Sequence, residues 1–422
     1  VMHRILEDVW RREAPHVLVA LLRRHGDLGD CEDAAQDAAA AATAQWPTDG
    51  VPADPRAWLI RVASRRLIDG VRANAARARR EALEAERQPG DVDVAPGADE
   101  TAGVEADDTL RLLVLCCHPA LSRPSQVALS LRAVAGLAVE QIAGAYLVPA
   151  RTMTQRLSRA RGALRDAGAQ FTMPSDDELP ARVAAVLDVC HLVFTEGYTR
   201  TSGESLFDVD LAEEAIRLTR QLHVALADHH EVTGALALML LTHARSPARI
   251  DASGDLVPLS EQDRSLWRRD LMSEGVALLE QTLPRGHVGR YQLQAAIAAV
   301  HAEAPTFEAT DWMQIGILYD MLSRVAPSPT VTLNHAVAVA MAHDPGAGLA
   351  MLDPLTADPA MQRHHRLYAV RAHLLELNGD VDAAAHHYRR AAQLTSSLPE
   401  QRYLNRRLRR FEGYGPGYGH EE

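Results

Sequence analysis

A chain of 422 residues exceeds what one compact core can organise and implies two to four domains. Its composition is globular, 47% hydrophobic and 24% charged, but aromatics are only 5%. Cores of Ala, Leu and Val are helix-former chemistry, so an all-α fold is expected and a β-sandwich or barrel is excluded. No apolar run is long enough to span a bilayer, and the opening residues VMHRILEDVWRREAP lack the apolar centre of a secretory signal. Four Cys make no disulfide framework, so the expected compartment is a reducing cytoplasm.

The net charge of −12 conceals a partition. Residues 1–87 balance, residues 88–110 carry seven acids and no Arg, residues 111–170 carry eight Arg against two acids, and residues 171–422 are net −11. Every one of the 44 basic residues is Arg. A basic module between acidic ones suits a chain of which one part meets a polyanion.

Residues 1–87 read as a helical unit. Leu18, Leu21 and Leu22 recur at helical spacing. Residues 27–54 then hold seven acids and no Arg, and residues 56–80 hold eight Arg against Asp69 alone. Asp33, Gln36 and Asp37 fall at i, i+3 and i+4 and share one helix face. Pro55 opens the basic helix. Trp58, Arg61, Arg65, Asp69 and Arg72 form one stripe of it, and Leu59, Ala63, Leu67 and Val71 another. An Arg stripe headed by an aromatic can track phosphates and stack on an unpaired base. On composition alone, a solvated helix with Arg65–Asp69–Arg72 ion pairs fits equally well. The three Pro residues from Trp46 to Pro55 read as a loop.

Residues 88–108, rich in Pro, Gly, Ala and Asp, read as an acidic flexible linker. Residues 109–170 form a second helical unit. Ile142, Ala143 and Tyr146 make a short apolar helix that Leu147–Val148–Pro149 breaks, and a longer helix follows. Its inner face is Met153, Leu157, Ala160 and Leu164. Its outer face carries Arg151, Thr152, Gln155, Arg156, Ser158 and Arg159, in a stretch with five Arg and no acid from 149 to 165. That is a helix-turn-helix whose second helix suits a major groove, where Arg and Gln reach base edges.

Pro174 and Pro180 mark a further break. From 176 to 412 the pattern is helical, as at Val183, Val186, Leu187 and Val193. In 365–398, Tyr368, Ala372, Leu375, Gly379, Ala384, Tyr388 and Ala391 stand where a 34-residue tetratricopeptide unit places its large, small and turn residues. Asn334–Leu355 and Leu211–Leu222 look like degenerate copies, so an α-solenoid is expected. An irregular helical domain ending in one hairpin is the alternative. Residues 413–422 read as a flexible tail.

Catalytic and metal chemistry find little support. Cys116–Cys117–His118 lacks zinc-ligand spacing, and Cys31 and Cys190 complete no CxxC. The pairs His229–His230, His364–His365 and His386–His387 form no HExxH. Phosphate-loop, dinucleotide and nucleophile-elbow signatures are missing. No enzyme activity, metal or cofactor is expected. Glu196 and Tyr198 in FTEGY read as a contact motif of the solenoid.

Taken in order, DCEDAAQD, PRAWLIRVASRRLIDGVR, an acidic linker and LRAVAGLAVEQIAGAYLVPARTMTQRLSRAR resemble the extracytoplasmic-function (ECF) sigma factors, bacterial initiation factors that carry core RNA polymerase to promoters. The resemblance covers residues 1–170. The remainder resembles an ECF subgroup with tetratricopeptide-like C-termini, on CCHPAL at 116–121, FTEGY at 194–198, EEAIRLTRQL at 213–222, EQDRSLW at 261–267 and YQLQAAIAAVHA at 291–302. It implies a region 2 bundle and a region 4 helix-turn-helix joined by a linker and followed by the solenoid. It places Asp33, Gln36 and Asp37 on the clamp helices of the polymerase's large subunit. Trp58, Arg61, Arg65 and Arg72 would meet the melted −10 element, and Arg132, Thr154, Gln155, Ser158 and Arg159 the −35 duplex, beside Arg151, Thr152 and Arg156 of the same helix. Where many members have Asn, this chain has Arg65. A regulatory protein or ligand at the C-terminal domain is a further candidate partner. The acidic extension could mask the Arg stripes or hold the two halves at the spacing the promoter needs; the resemblance favours the second role, in which the extension is required for activity. Two readings compete. One is a helix-turn-helix regulator with a helical sensor domain, acting without core polymerase; the acidic face argues against it, because such a regulator has no need of one. The other is a peptide-binding scaffold with a vestigial DNA-binding head.

Overall fold

The computed structural model describes residues 2–83, 106–146, 148–199, 202–203, 209–286 and 288–412. As the composition requires, these residues are helical. Their strand content is a two-residue parallel pairing of Ser202–Gly203 with Ser396–Ser397, and one isolated bridge. The chain divides into two compact units, Val1–Val189 and Cys190–Glu422.

In the first unit, α1 (Met2–His25), α2 (Leu28–Asp49) and α3 (Pro55–Leu83) pack pairwise into a bundle. Leu18, Leu21 and Leu22 of α1 meet a row of small residues on α2 (Ala34, Ala35, Ala38 and Ala42) and Leu59, Ala63 and Leu67 of α3; all are buried. Small side chains on α2 let its neighbours approach closely, and the Leu residues fill the remaining space. Gly26, at φ +75°, ends α1. Asp27 caps α2 by accepting from the Asp30 backbone N–H at 2.9 Å. Gly50, at φ +82°, ends α2 with its N–H on the Trp46 carbonyl, so the helix runs through Pro47. The expected loop from Trp46 is therefore corrected. Trp46 is a buried last-turn residue set edge-on against Trp58, with centroids 5.3 Å apart.

The rest of this unit is α4 (Ala106–Cys116), α5 (Arg123–Ala133), α6 (Val139–Ala145), α7 (Ala150–Asp166) and the first part of α8 (Leu179–Tyr198). The expected linker lies outside the described residues as far as 105. Its end at 108 is corrected: α4 starts at Ala106, and Asp108 is fully buried, accepting from Arg23 at 2.5 Å and Arg111 at 3.2 Å. Leu110, Leu112 and Leu113, all buried, hold this turn in the core. Arg123 fastens α8 to α5 through the Ala185 carbonyl (3.0 Å) and Asp188 (2.8 Å).

The second unit runs through α9 (Val209–Ala225), α10 (His230–His243), α11 (Arg269–Thr282), α12 (Arg290–Glu303), α13 (Trp312–Val325), α14 (Pro329–Ala342), α15 (Pro345–Thr356), α16 (His365–Leu377), α17 (Val381–Leu394) and α18 (Leu398–Glu412). Neighbours in sequence pack on one another. Helix starts recur at 312, 345 and 381, and again at 329, 365 and 398, a period of 33–36 residues. Ala372, Ala384, Tyr388 and Ala391 are buried in one cluster, with Tyr368 and Leu375 packed on it and Gly379 at φ +82° in the turn. Asn334–Leu355 spans the α14–α15 pair, where a Cβ on Gly348 would come within 2.5 Å of the Ala336 carbonyl oxygen. Leu211–Leu222 lies within α9 alone. The expected tail, 413–422, falls outside the described residues.

Candidate nucleic-acid interface

Two Arg-bearing surfaces arise from helices whose opposite faces are core. On α3, Pro55 starts the helix and Asp54 accepts from the Ala57 N–H at 2.9 Å. Burial of Leu59, Ala63 and Leu67 then leaves Arg61, Arg65 and Arg72 exposed. None of the three forms an ion pair among the described residues, so the Arg65–Asp69–Arg72 pairing is not the arrangement found. Trp58 is half-buried at the head of the stripe. Val71, expected on the inner stripe, has no described side chain.

On α7, Met153, Leu157, Ala160 and Leu164 are buried as the spacing requires. Arg151, Thr152, Thr154, Gln155, Ser158 and Arg159 are exposed, while Arg156 lies over the Tyr146 ring, 5.5 Å from its centroid. Leu147 lies outside the described residues; Pro149 stands directly before the first turn of α7.

Arg132, expected beside this surface, is engaged within the chain. Its Nε donates to Glu32 of α2 at 2.9 Å and its Nη1 to the Leu137 carbonyl at 2.8 Å. Two further Arg residues of α7 reach the acidic helix. Arg161 meets Asp33 at 2.7 Å and Glu32 at 3.8 Å, and Arg165 meets Asp27 at 2.9 Å. The Arg165 hydrogen bond holds the Asp27 carboxyl below the usual carboxylate range. Of the three residues expected to meet polymerase, Asp37 is exposed, Asp33 is exposed but paired with Arg161, and Gln36 is half-buried in a hollow of about 180 Å³ that Arg132 and Gln141 also line. The acidic face of α2 is thus partly covered by the basic helices that follow it. This contact joins residues about a hundred positions apart, and no local spacing announces it. The one available sign was that Arg161 and Arg165, four residues apart, share a face.

No group of three or more potential ligands could hold a metal ion among the described residues. All four Cys are buried and free. Burial pushes the Cys31 and Cys190 thiols up to about 12 and Cys116 well above its usual value, which makes them poor nucleophiles and ligands. His365 pairs with Glu400 at 3.1 Å and stacks on His364. Tyr198 of the FTEGY segment stacks on Phe194 and lies under Arg249, a buried cation whose Nη2 donates to Thr199 at 3.0 Å. No helix among the described residues is long and apolar enough to cross a membrane.

Residues 9–77 match the family model for Sigma-70 region 2, and residues 182–283 match a family of unknown function, DUF6596. The chain is 41% identical over 397 residues to the uncharacterized protein R00370 of Rhizobium meliloti strain 1021, covering 93% of each. It is 30% identical over 159 residues to the probable ECF RNA polymerase sigma factor SigI of Mycobacterium tuberculosis, covering 38% of this chain and 54% of that protein. This second likeness therefore spans about half the sigma factor's length. No solved structure matches. With an Arg-striped region 2 helix at one end and a helical DUF6596 segment beyond it, the chain belongs to the ECF-type sigma factors that carry a C-terminal extension.

Proposed function

We propose that this sigma factor binds core RNA polymerase through the acidic face of α2 and reads promoter DNA with the two exposed Arg-bearing helices. Asp33, Gln36 and Asp37 take the clamp helices of the large subunit. Trp58, Arg61, Arg65 and Arg72 meet the melted −10 element, with Trp58 as the stacking platform. The outer face of α7 enters the major groove at the −35 element, where Gln155 and Arg159 supply base-edge contacts and Arg151 and Arg156 reach phosphates. Nucleotide addition belongs to the polymerase. The observation that carries this reading is the order of surfaces: an acidic helix, then an Arg stripe on α3 without ion pairs among the described residues, then the exposed Arg, Gln, Ser and Thr row of α7. A plain duplex-binding regulator needs only the last of these. The second unit, with its period near 34 residues, acts as a tetratricopeptide-like regulatory domain in the cytoplasm.

Because Arg161 and Arg165 occupy part of the α2 face, polymerase must displace them. Surface ion pairs are worth about 0–1 kcal/mol each, so the contact is a weak latch. Co-purification with core polymerase tests the assignment. Arg161→Glu, which repels Asp33, should tighten core binding up to about fivefold, the equivalent of such a pair. Asp33→Arg with Asp37→Arg should abolish it while helicity is kept. Core binding that survives the double reversal would remove the acidic face from the mechanism.

A further inference from the structure

The second unit holds a partly open cavity of about 670 Å³. Its floor is the apolar cluster of α12, α13 and α14, with Ile297, Ile315, Leu322 and Ala338, and Phe307, Trp312 and Tyr319 add aromatic walls. Among the described residues no Asp or Glu lines it, although residues 190–422 carry 29 acids against 21 Arg. Among the described residues its lining carries one cation, Arg245, half-buried just beyond the end of α10.

Several other Arg side chains of this unit are answered. Arg407 pairs with Glu376 at 2.5 Å, Arg371 with Asp353 at 3.1 Å, and Arg264 donates to the carbonyls of His301 and Ala304. Arg245 has no side-chain hydrogen bond or ion pair among the described residues. Around the same cavity, the Nδ1 atoms of His191 and His301 and the Nε1 of Trp312 are buried without hydrogen-bond partners. Burial first, then Arg245 and Arg264, push His301 down to about 3, so it stays neutral and the field there is positive. Buried ring nitrogens without partners are costly unless something from outside satisfies them.

The volume is that of a small-molecule site. A single guanidinium flanked by neutral ring nitrogens matches one negative charge, and its planar fork fits a carboxylate with two parallel hydrogen bonds. The floor requires an apolar body. We propose that the cavity binds a small carboxylic acid with an aliphatic or aromatic body, its carboxylate on Arg245 and its body over the α12–α14 floor. This does not rest on the promoter reading, because binding is measured without polymerase or DNA.

The test titrates the full chain with decanoate, 3-phenylpropionate and 3-cyclohexylpropionate, none of which emits in the tryptophan range, each beside its uncharged amide, following thermal unfolding and tryptophan emission. At least one acid should raise the melting temperature saturably and change the emission, with its amide binding tenfold or more weakly. Arg245→Gln should abolish the preference of acid over amide while circular dichroism is unchanged. Trp312→Phe should remove the emission change and keep the thermal shift. No shift with any of the acids, equal binding of acid and amide, or an emission change that survives Trp312→Phe would overturn the proposal. Were Arg245→Gln to fail to fold, the comparison of acid with amide on the unaltered chain decides the matter.

Discussion

Arg132 Nε lies 2.9 Å from Glu32 Oε1, and both side chains are more than nine-tenths buried. This ion pair ties the corner between α5 and α6 to the acidic helix α2. Removing one member of a buried pair strands the other and costs about 3–5 kcal/mol, whereas replacing both with apolar residues is often nearly neutral. Arg132→Leu or Glu32→Leu alone should therefore lower the unfolding free energy by roughly that amount, and the double variant should recover most of it. A denaturant double-mutant cycle measures the coupling; strictly additive losses would show that the two side chains do not depend on each other.

The outer face of α7 carries the second expectation. A lost bidentate base contact costs about 1–3 kcal/mol, so Gln155→Ala or Arg159→Ala should reduce transcription roughly 5- to 150-fold. The loss should relax preference at one base position of the −35 element. An equal loss on every promoter variant would identify a phosphate contact instead. Arg132→Ala, by contrast, should act through folding and leave base preference unchanged.

Acid should loosen the second unit before neutral pH does. Burial lowers His191, His301 and His373, with His301 down to about 3. Their folded values lie below the unfolded value near 6.5, so the unfolded chain takes up protons first. Stability is full above about pH 6.5 and falls on acidification, by less than about 1.4 kcal/mol per pH unit for each of these partly buried histidines. Unfolding free energies at pH 7.5 and 5.5 should differ accordingly, and His301→Gln should flatten the profile. A profile unchanged from pH 7.5 to 5.5 would mean these rings protonate freely in the folded state.

The extension should be needed for activity rather than for holding polymerase. A chain ending at Val189 keeps the whole first unit, including the Arg123–Asp188 bond. It should retain core binding and lose transcription. A truncated chain more active than the full one would instead make the extension an inhibitor.

Burial patterns set by helix spacing were legible in the sequence. Leu59, Ala63 and Leu67, and Met153, Leu157, Ala160 and Leu164, face inward where the 3.6-residue period puts them. What escaped depends on partners far away along the chain. Arg132 has the same chemistry whether it meets a phosphate or Glu32, and only the fold decides between them. Asp108 looks like linker until Arg23 and Arg111 are seen around it. Trp46 reads as a loop residue because Pro47 follows, yet Gly50 at positive φ is what ends the helix. The cavity around Arg245 draws residues from His191 to Tyr403, and no local spacing could have assembled it.

Run-off transcription with purified core polymerase, on promoters recovered by selection with this chain, tests the central claim most directly. Promoter-dependent transcripts should require the chain and disappear with Asp33→Arg together with Asp37→Arg. Sequence-specific duplex binding without any transcript from core polymerase would contradict the claim and leave a helix-turn-helix regulator in its place.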